Sequence, residues 1–167
     1  MEKVFSICTA YARTFSSRSE SLLLLGGTGL GKTHLSLAIA YEVIQNGFGV
    51  VYTTSQRLLD KLQIQQFSRD GQDDTDYRSL ALSCDLLIID DLGAEFSTSF
   101  TVASLYNIIN SRIIEHKPTI ISTNFDEQIL RERYGDRILS RLLCAYRPLQ
   151  FYGEDIRMLK RFSLNNQ

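Results

Sequence analysis

Short apolar runs alternate along this chain with segments whose apolar residues recur every three or four positions. Leu22-Leu23-Leu24-Leu25 is apolar at consecutive positions and ends in glycines, which predicts a strand covered on both faces of a parallel sheet. Lys32 to Asn46 then places Leu35, Ala38, Ile39 and Val43 at helical spacing, and Asn46-Gly47 supplies a stop. Val50 to Thr53 reads as a second strand, and Gln56 to Phe67 as a helix with Leu58, Leu59, Leu62 and Ile64 inward. A polar turn over Arg69 to Thr75 leads to a short helix, Tyr77 to Ser83, and then to the strand Asp85 to Asp91, which ends in two carboxylates. Thr98 to His116 is the next helix, with Val102, Leu105, Ile108, Ile109 and Ile113 on its apolar side. Pro118 to Asn124 is a fourth strand, and Asp126 caps the helix that follows. Gly135 to Leu143 reads as a further short helix, and Tyr146 to Tyr152 as a last strand whose Pro148 suits a sheet edge. Val4 to Ile7 is compatible with a helix before the first strand. Strands alternating with helices imply a three-layer α/β fold around a mainly parallel sheet.

Composition narrows this little. With 167 residues, 44% of them hydrophobic, the chain is long enough for one substantial core, so a single domain over 1–167 is expected. A net charge of -1 excludes a broadly basic surface, so any nucleic-acid contact must come from a local patch. Cys8, Cys84 and Cys144 lie far apart without CxxC spacing, which argues against a disulfide framework or zinc site and suits a reducing cytoplasm. The apolar runs fall far short of the ~20 residues that span a bilayer, so no membrane partner is expected.

The chemistry sits at the strand ends. Binding a phosphate needs many backbone N–H groups converging on one anion, with glycines to permit close approach and a helix N-terminus behind them. Gly26-Gly27-Thr28-Gly29-Leu30-Gly31-Lys32-Thr33 has this form between a strand and a helix, with His34 following. Lys32 is placed to reach the β- and γ-phosphates, and the Thr33 hydroxyl to be a magnesium ligand. Ligands of parallel α/β sheets lie beyond the C-terminal strand ends, so Asp90 is placed to face the same magnesium. Its neighbour Asp91 is placed to orient or deprotonate an attacking water, although two such carboxylates also suit a solvated strand end. Asn124 fits a contact to the γ-phosphate or that water, and equally a turn. Arg137 and Arg141, four apart, share a helix face: they suit a charge offered to a neighbouring subunit's nucleotide, or ion pairs with Glu132 and Asp136.

The segments GGTGLGKTH, LLIIDDLGAE, IISTNF and GDRILSRLL, in that order, resemble the AAA+ ATPases of the DnaC/DnaI type, bacterial loaders of the replicative helicase, and their IstB relatives. The resemblance runs from about Leu22 to about Tyr152. It implies a five-stranded sheet of order 5-1-4-3-2, Asp90 and Asp91 as the Walker B carboxylates, Asn124 as the sensor, and Arg141 rather than Arg137 as the arginine finger. It favours ATP with Mg2+, and no NKxD segment points to guanine. Single-stranded DNA binding along a nucleotide-dependent homo-oligomer is implied as well. The corresponding helices carry Arg57, Lys61, Phe67, Thr98 and Phe100, although both phenylalanines also suit the core.

Members of that family carry an N-terminal helicase-binding domain, and nothing before Val4 encodes one, so the chain is expected to be the ATPase domain of a longer protein. Few residues follow Tyr152; a helical lid is expected to be absent or vestigial, with Arg157 the nearest match to its arginine. A helicase loader, a transposition helper acting on duplex DNA, and a nucleotide-dependent switch with little turnover all fit these motifs.

Overall fold

The computed structural model describes residues 2–67 and 75–156. Most of the polar turn expected at 69–75, and Arg157 with the expected lid, lie outside the described residues. The chain runs α1 (Glu2–Arg13), β1 (Ser21–Leu25), α2 (Lys32–Gln45), β2 (Val50–Thr54), α3 (Ser55–Phe67) and α4 (Tyr77–Ser83). It continues through β3 (Leu86–Leu92), α5 (Ser99–Ile114), β4 (Thr119–Thr123), α6 (Glu127–Ala145) and β5 (Tyr146–Gln150).

The five strands form one parallel sheet of order β2-β3-β4-β1-β5. This is the order that the resemblance implies. Consecutive apolar residues are explained by the two layers that cover the sheet. Leu22, Leu24, Leu86, Ile88 and Ile120 face α1 and α2, while Leu23, Leu87, Ile89 and Ile121 face α3 to α6. All nine are fully buried, each contributing roughly 2 kcal/mol of apolar transfer energy. Because α2 leaves β1 on one face and α6 leaves the adjacent β4 on the other, a crevice opens at the C-terminal ends of these neighbours.

Several expectations are corrected. Ile64 and Ala38 are exposed: the apolar stripe of α3 stops at Leu62, and α2 buries Ala40 beside the expected Ile39 and Val43. The helix expected over Gly135 to Leu143 is the second half of α6, continuous with the first through a kink at Gly135 (φ 77°, ψ 168°). Glycine alone takes that backbone without strain. Pro148 does lie on an edge strand, since β5 pairs only with β1. The strand bearing the two aspartates does not end at them but runs on to Leu92.

That extension contains the fold's main irregularity. Ile89 pairs with Ile121 and Leu92 with Thr123, so β3 spends three steps where β4 spends two. The extra residue is accommodated by Asp91, whose φ of 56° lies in the left-handed region. Aspartate tolerates that region better than most residues with a Cβ.

Candidate nucleotide-binding site

Helix N-termini expose four N–H groups that need partners. In α4, α5 and α6 a side chain supplies one: Asp76, Thr98 and Asp126 accept from the third residue of their helices. Helix α2 differs. Its N-cap is Gly31, left-handed at φ 91°, which offers no side-chain bond, and no acidic residue occupies its first turn. The glycine loop and an uncapped positive helix end form an anion site. From outside, the segment after β5 fixes this loop: the Phe151 N–H donates to the Leu25 carbonyl at 2.7 Å and the Ile156 N–H to the Gly29 carbonyl at 3.0 Å. Leu30 is buried beneath the loop, whereas His34 is exposed in the first turn of α2.

Lys32 is 7% exposed, and its ammonium donates to the carbonyls of Gly26 (2.6 Å) and Gly27 (2.7 Å) and to Asn124 Oδ1 (2.7 Å). Asn124 Nδ2 in turn donates to Asp91 Oδ1 at 2.9 Å. Thr33 Oγ1 donates to Asp90 Oδ2 at 2.8 Å, and the Tyr52 hydroxyl donates to the same oxygen at 2.7 Å. Ser122 completes the group by donating to Asp90 Oδ1 and accepting from the Asp91 N–H at 2.8 Å. Lys32, Thr33, Asp90, Asp91 and Asn124 therefore meet in one hydrogen-bonded cluster drawn from α2, β3 and the end of β4.

The β3 bulge makes this possible. In an unbroken strand Asp90 and Asp91 would point to opposite faces. With Asp91 left-handed, both carboxylates are drawn to the same end of the crevice, and the backbone N–H that the bulge removes from the ladder is satisfied by Ser122. Asp90 is 4% exposed, which rules out the solvated strand end as its setting.

A second cluster lies behind the first, and the sequence analysis missed it. Glu95 is 3% exposed; its carboxylate accepts from the Gly93 N–H at 3.0 Å and from the Tyr134 hydroxyl, with Arg133 Nε 3.9 Å away. Burial acts to raise its pKa, but the hydroxyls of Ser55 and Tyr134 and the local N–H groups outweigh it and hold the carboxyl below its usual value. Ser55, at the start of α3, donates to the Asp91 carbonyl at 2.9 Å, and the Arg133 guanidinium lies 5.5 Å from the centre of the Phe125 ring. Glu95 thus ties the end of the Walker strand to the kinked α6, while Ser55 ties α3 to the same strand. A glutamate shortly after an apolar strand carries no signal of this, because its partners on α6, Arg133 and Tyr134, are 38 and 39 positions away.

The remaining predicted residues lie elsewhere. Arg141 Nε donates to Asn110 Oδ1 at 2.8 Å and its terminal nitrogens to Tyr106 Oη (2.7 Å) and the Arg137 carbonyl (3.0 Å), so α5 holds it outside the phosphate-loop cluster. The alternative ion pairs do not form at Arg141: Asp136 pairs with Arg131 at 3.3 Å, and Glu132 accepts from Gln128. Phe67 is 65% exposed, its ring 5.8 Å from that of half-buried Phe100, so the core assignment fails for Phe67. Arg57 is exposed, Lys61 sits 4.9 Å over the Tyr77 ring, and the Thr98 hydroxyl is engaged in capping α5.

This strand order with its phosphate loop and strand-end carboxylates places the molecule among the P-loop nucleoside-triphosphate-binding proteins of the AAA+ class. Within that class the chain belongs to the IstB-like ATP binding protein family, whose model matches residues 6–162. It is 24% identical over 132 residues to the replicative helicase loader DnaC of Escherichia coli K12, covering 79% of this chain and 54% of that protein. It is 30% identical over 153 residues to an ATP-binding protein of insertion sequence IS5376 from Geobacillus stearothermophilus, covering 89% of this chain and 59% of the relative. The chain thus spans somewhat over half the length of these curated relatives. A crystal structure of the DnaC helicase loader superposes with a TM-score of 0.79 at 23% identity, covering 90% of this chain and 89% of that one. No helix among the described residues is long and apolar enough to cross a membrane.

Proposed function

We propose that this chain is a magnesium-dependent ATPase that works as a nucleotide-dependent homo-oligomer on single-stranded DNA and assists loading of a replicative helicase. The observation that carries the reading is the bond between Thr33 and Asp90, backed by the Lys32–Asn124–Asp91 chain. A hydroxyl and a carboxylate oxygen 2.8 Å apart are hard donors suited to Mg2+. Among the described residues no group of three or more His, Cys, Asp or Glu forms a metal cage, which fits an ion held jointly by protein and substrate phosphates.

In this reading the loop N–H groups and Lys32 bind the phosphates, and Thr33 and Asp90 would hold a magnesium ion, which would supply positive charge against the charge developing on the phosphates. Asp91 accepts a proton from the attacking water, and Asn124 fixes Asp91 by its N–H donor. Arg141 serves the nucleotide of an adjacent copy, so a lone monomer turns over slowly. Bases stack on Phe67 while Arg57 and Lys61 neutralise backbone phosphates.

A second reading has an observation of its own: identity is higher with the insertion-sequence protein, at 30%, than with DnaC, at 24%. It makes the chain a transposition helper acting on duplex DNA. Fluorescence anisotropy with ATP separates the two, since the loader requires single strands to bind more tightly than duplex, and the helper the reverse. Copurification of a replicative helicase or a transposase with the full-length gene product decides the partner. Turnover that survives both Lys32→Ala and Asp91→Ala would overturn the enzymatic reading.

A further inference from the structure

Tyr52 is not part of any motif in the sequence, yet its hydroxyl lies 2.7 Å from Asp90 Oδ2, the oxygen that Thr33 also contacts. The sheet register explains the reach. Tyr52 pairs with Ile88 and Thr54 with Asp90, so Tyr52 and Asp90 share a face two residues apart along neighbouring parallel strands. A phenol is long enough to bridge that offset. With Ser122 on Oδ1, the carboxylate has three hydroxyl donors from three different elements: α2, β2 and β4. A carboxylate held by three donors has one orientation.

We propose that Tyr52 is a positioning residue for the magnesium of this site, fixing the Asp90 carboxylate in the orientation that receives the metal and its waters. The inference rests on the proposed magnesium-dependent ATP site. The ring itself packs against the buried apolar cluster on the α2 side of the sheet, and phenylalanine would keep that packing while removing the one hydroxyl.

The test compares wild type with Tyr52→Phe in binding a fluorescent ATP analogue, first in EDTA and then across a magnesium titration. Wild type should bind more tightly as magnesium is added. Tyr52→Phe should match it in EDTA but need about three- to tenfold more magnesium for the same tightening, the net effect of one lost hydrogen bond to a carboxylate that keeps two other donors. Thermal unfolding without nucleotide should show both proteins fully folded at the assay temperature, with Tyr52→Phe melting at most a few degrees lower, which separates positioning from simple loss of structure. Equal magnesium requirements in the two proteins overturn the positioning role and leave the ATP site intact. A wild type whose binding ignores magnesium overturns both.

Discussion

Asn124 accepts a 2.7 Å hydrogen bond from the Lys32 ammonium although 92 positions separate them in the chain. Its other amide atom donates to Asp91 at 2.9 Å, so a single side chain links the phosphate-binding cation to the carboxylate assigned to the attacking water. Replacing it by alanine leaves Lys32 its two loop carbonyls but frees Asp91. ATP affinity should change little while kcat falls by about 100-fold, the scale of losing one positioned donor at a reacting centre. Steady-state kinetics beside equilibrium nucleotide binding separates the two quantities. A rise in KM with unchanged kcat would make Asn124 a binding residue instead.

The arrangement at Arg141 gives a mixing experiment. Arg141 is tied to Asn110 and Tyr106 on α5 and does not touch its own phosphate loop cluster. If Arg141 serves an adjacent copy as proposed, Arg141→Ala should lower turnover by about 1,000-fold, the scale of losing an arginine finger, and so should Lys32→Ala, because each would remove a different half of a shared site. Mixing the two inactive variants should restore measurable ATPase activity, since some junctions pair an intact loop with an intact arginine. A mixture as inactive as its parts would place the arginine outside the reaction.

Glu95 gives a pH dependence. Its carboxyl is held below the ordinary value of 4.5, so its contribution to stability is fully present above that range and is lost as pH falls through and below it. Glu95→Ala should cost about 3 kcal/mol at neutral pH, because it leaves Tyr134, Arg133 and the Gly93 N–H without their buried partner. In urea unfolding the gap between wild type and Glu95→Gln should shrink from about pH 7 to about pH 3. A gap independent of pH would mean that the charge of Glu95 contributes nothing.

Gly93 and Gly135 are both left-handed, at φ 115° and 77°, but only one is crowded. A Cβ on Gly93 would meet Phe125 Cε2 at 2.4 Å, whereas one on Gly135 has nothing within 4 Å. Gly93→Ala should destabilise by more than Gly135→Ala, which carries only the backbone strain of about 1–3 kcal/mol. Because Phe125 follows Asn124, Gly93→Ala should also reduce kcat, and Phe125→Leu in the same chain should recover part of the melting temperature. Equal losses at the two glycines would show that Phe125 yields freely.

The sequence by itself determined the alternation of strands and helices, the phosphate loop and the three-layer class, because these are local in their causes. Apolar runs such as Leu22 to Leu25 are apolar at every position only where both faces are covered, and an uncapped glycine before a helix leaves its N–H groups free for an anion. The order of the sheet was legible only through resemblance. Periodicity failed at Ile64 and Ala38, where helical spacing continued past the edge of the neighbouring layer. What only the tertiary structure decided was the direction of each polar side chain. Asp90 and Asp91 are adjacent in the chain, and strand alternation alone would part them; a bulge that exists only because β3 pairs with β4 brings them together, with Ser122 taking up the displaced N–H. The same holds for Tyr52, Glu95 and Asn124. Their roles depend on hydrogen bonds between separate elements, and the backbone register that sets those distances is fixed by packing of the whole core.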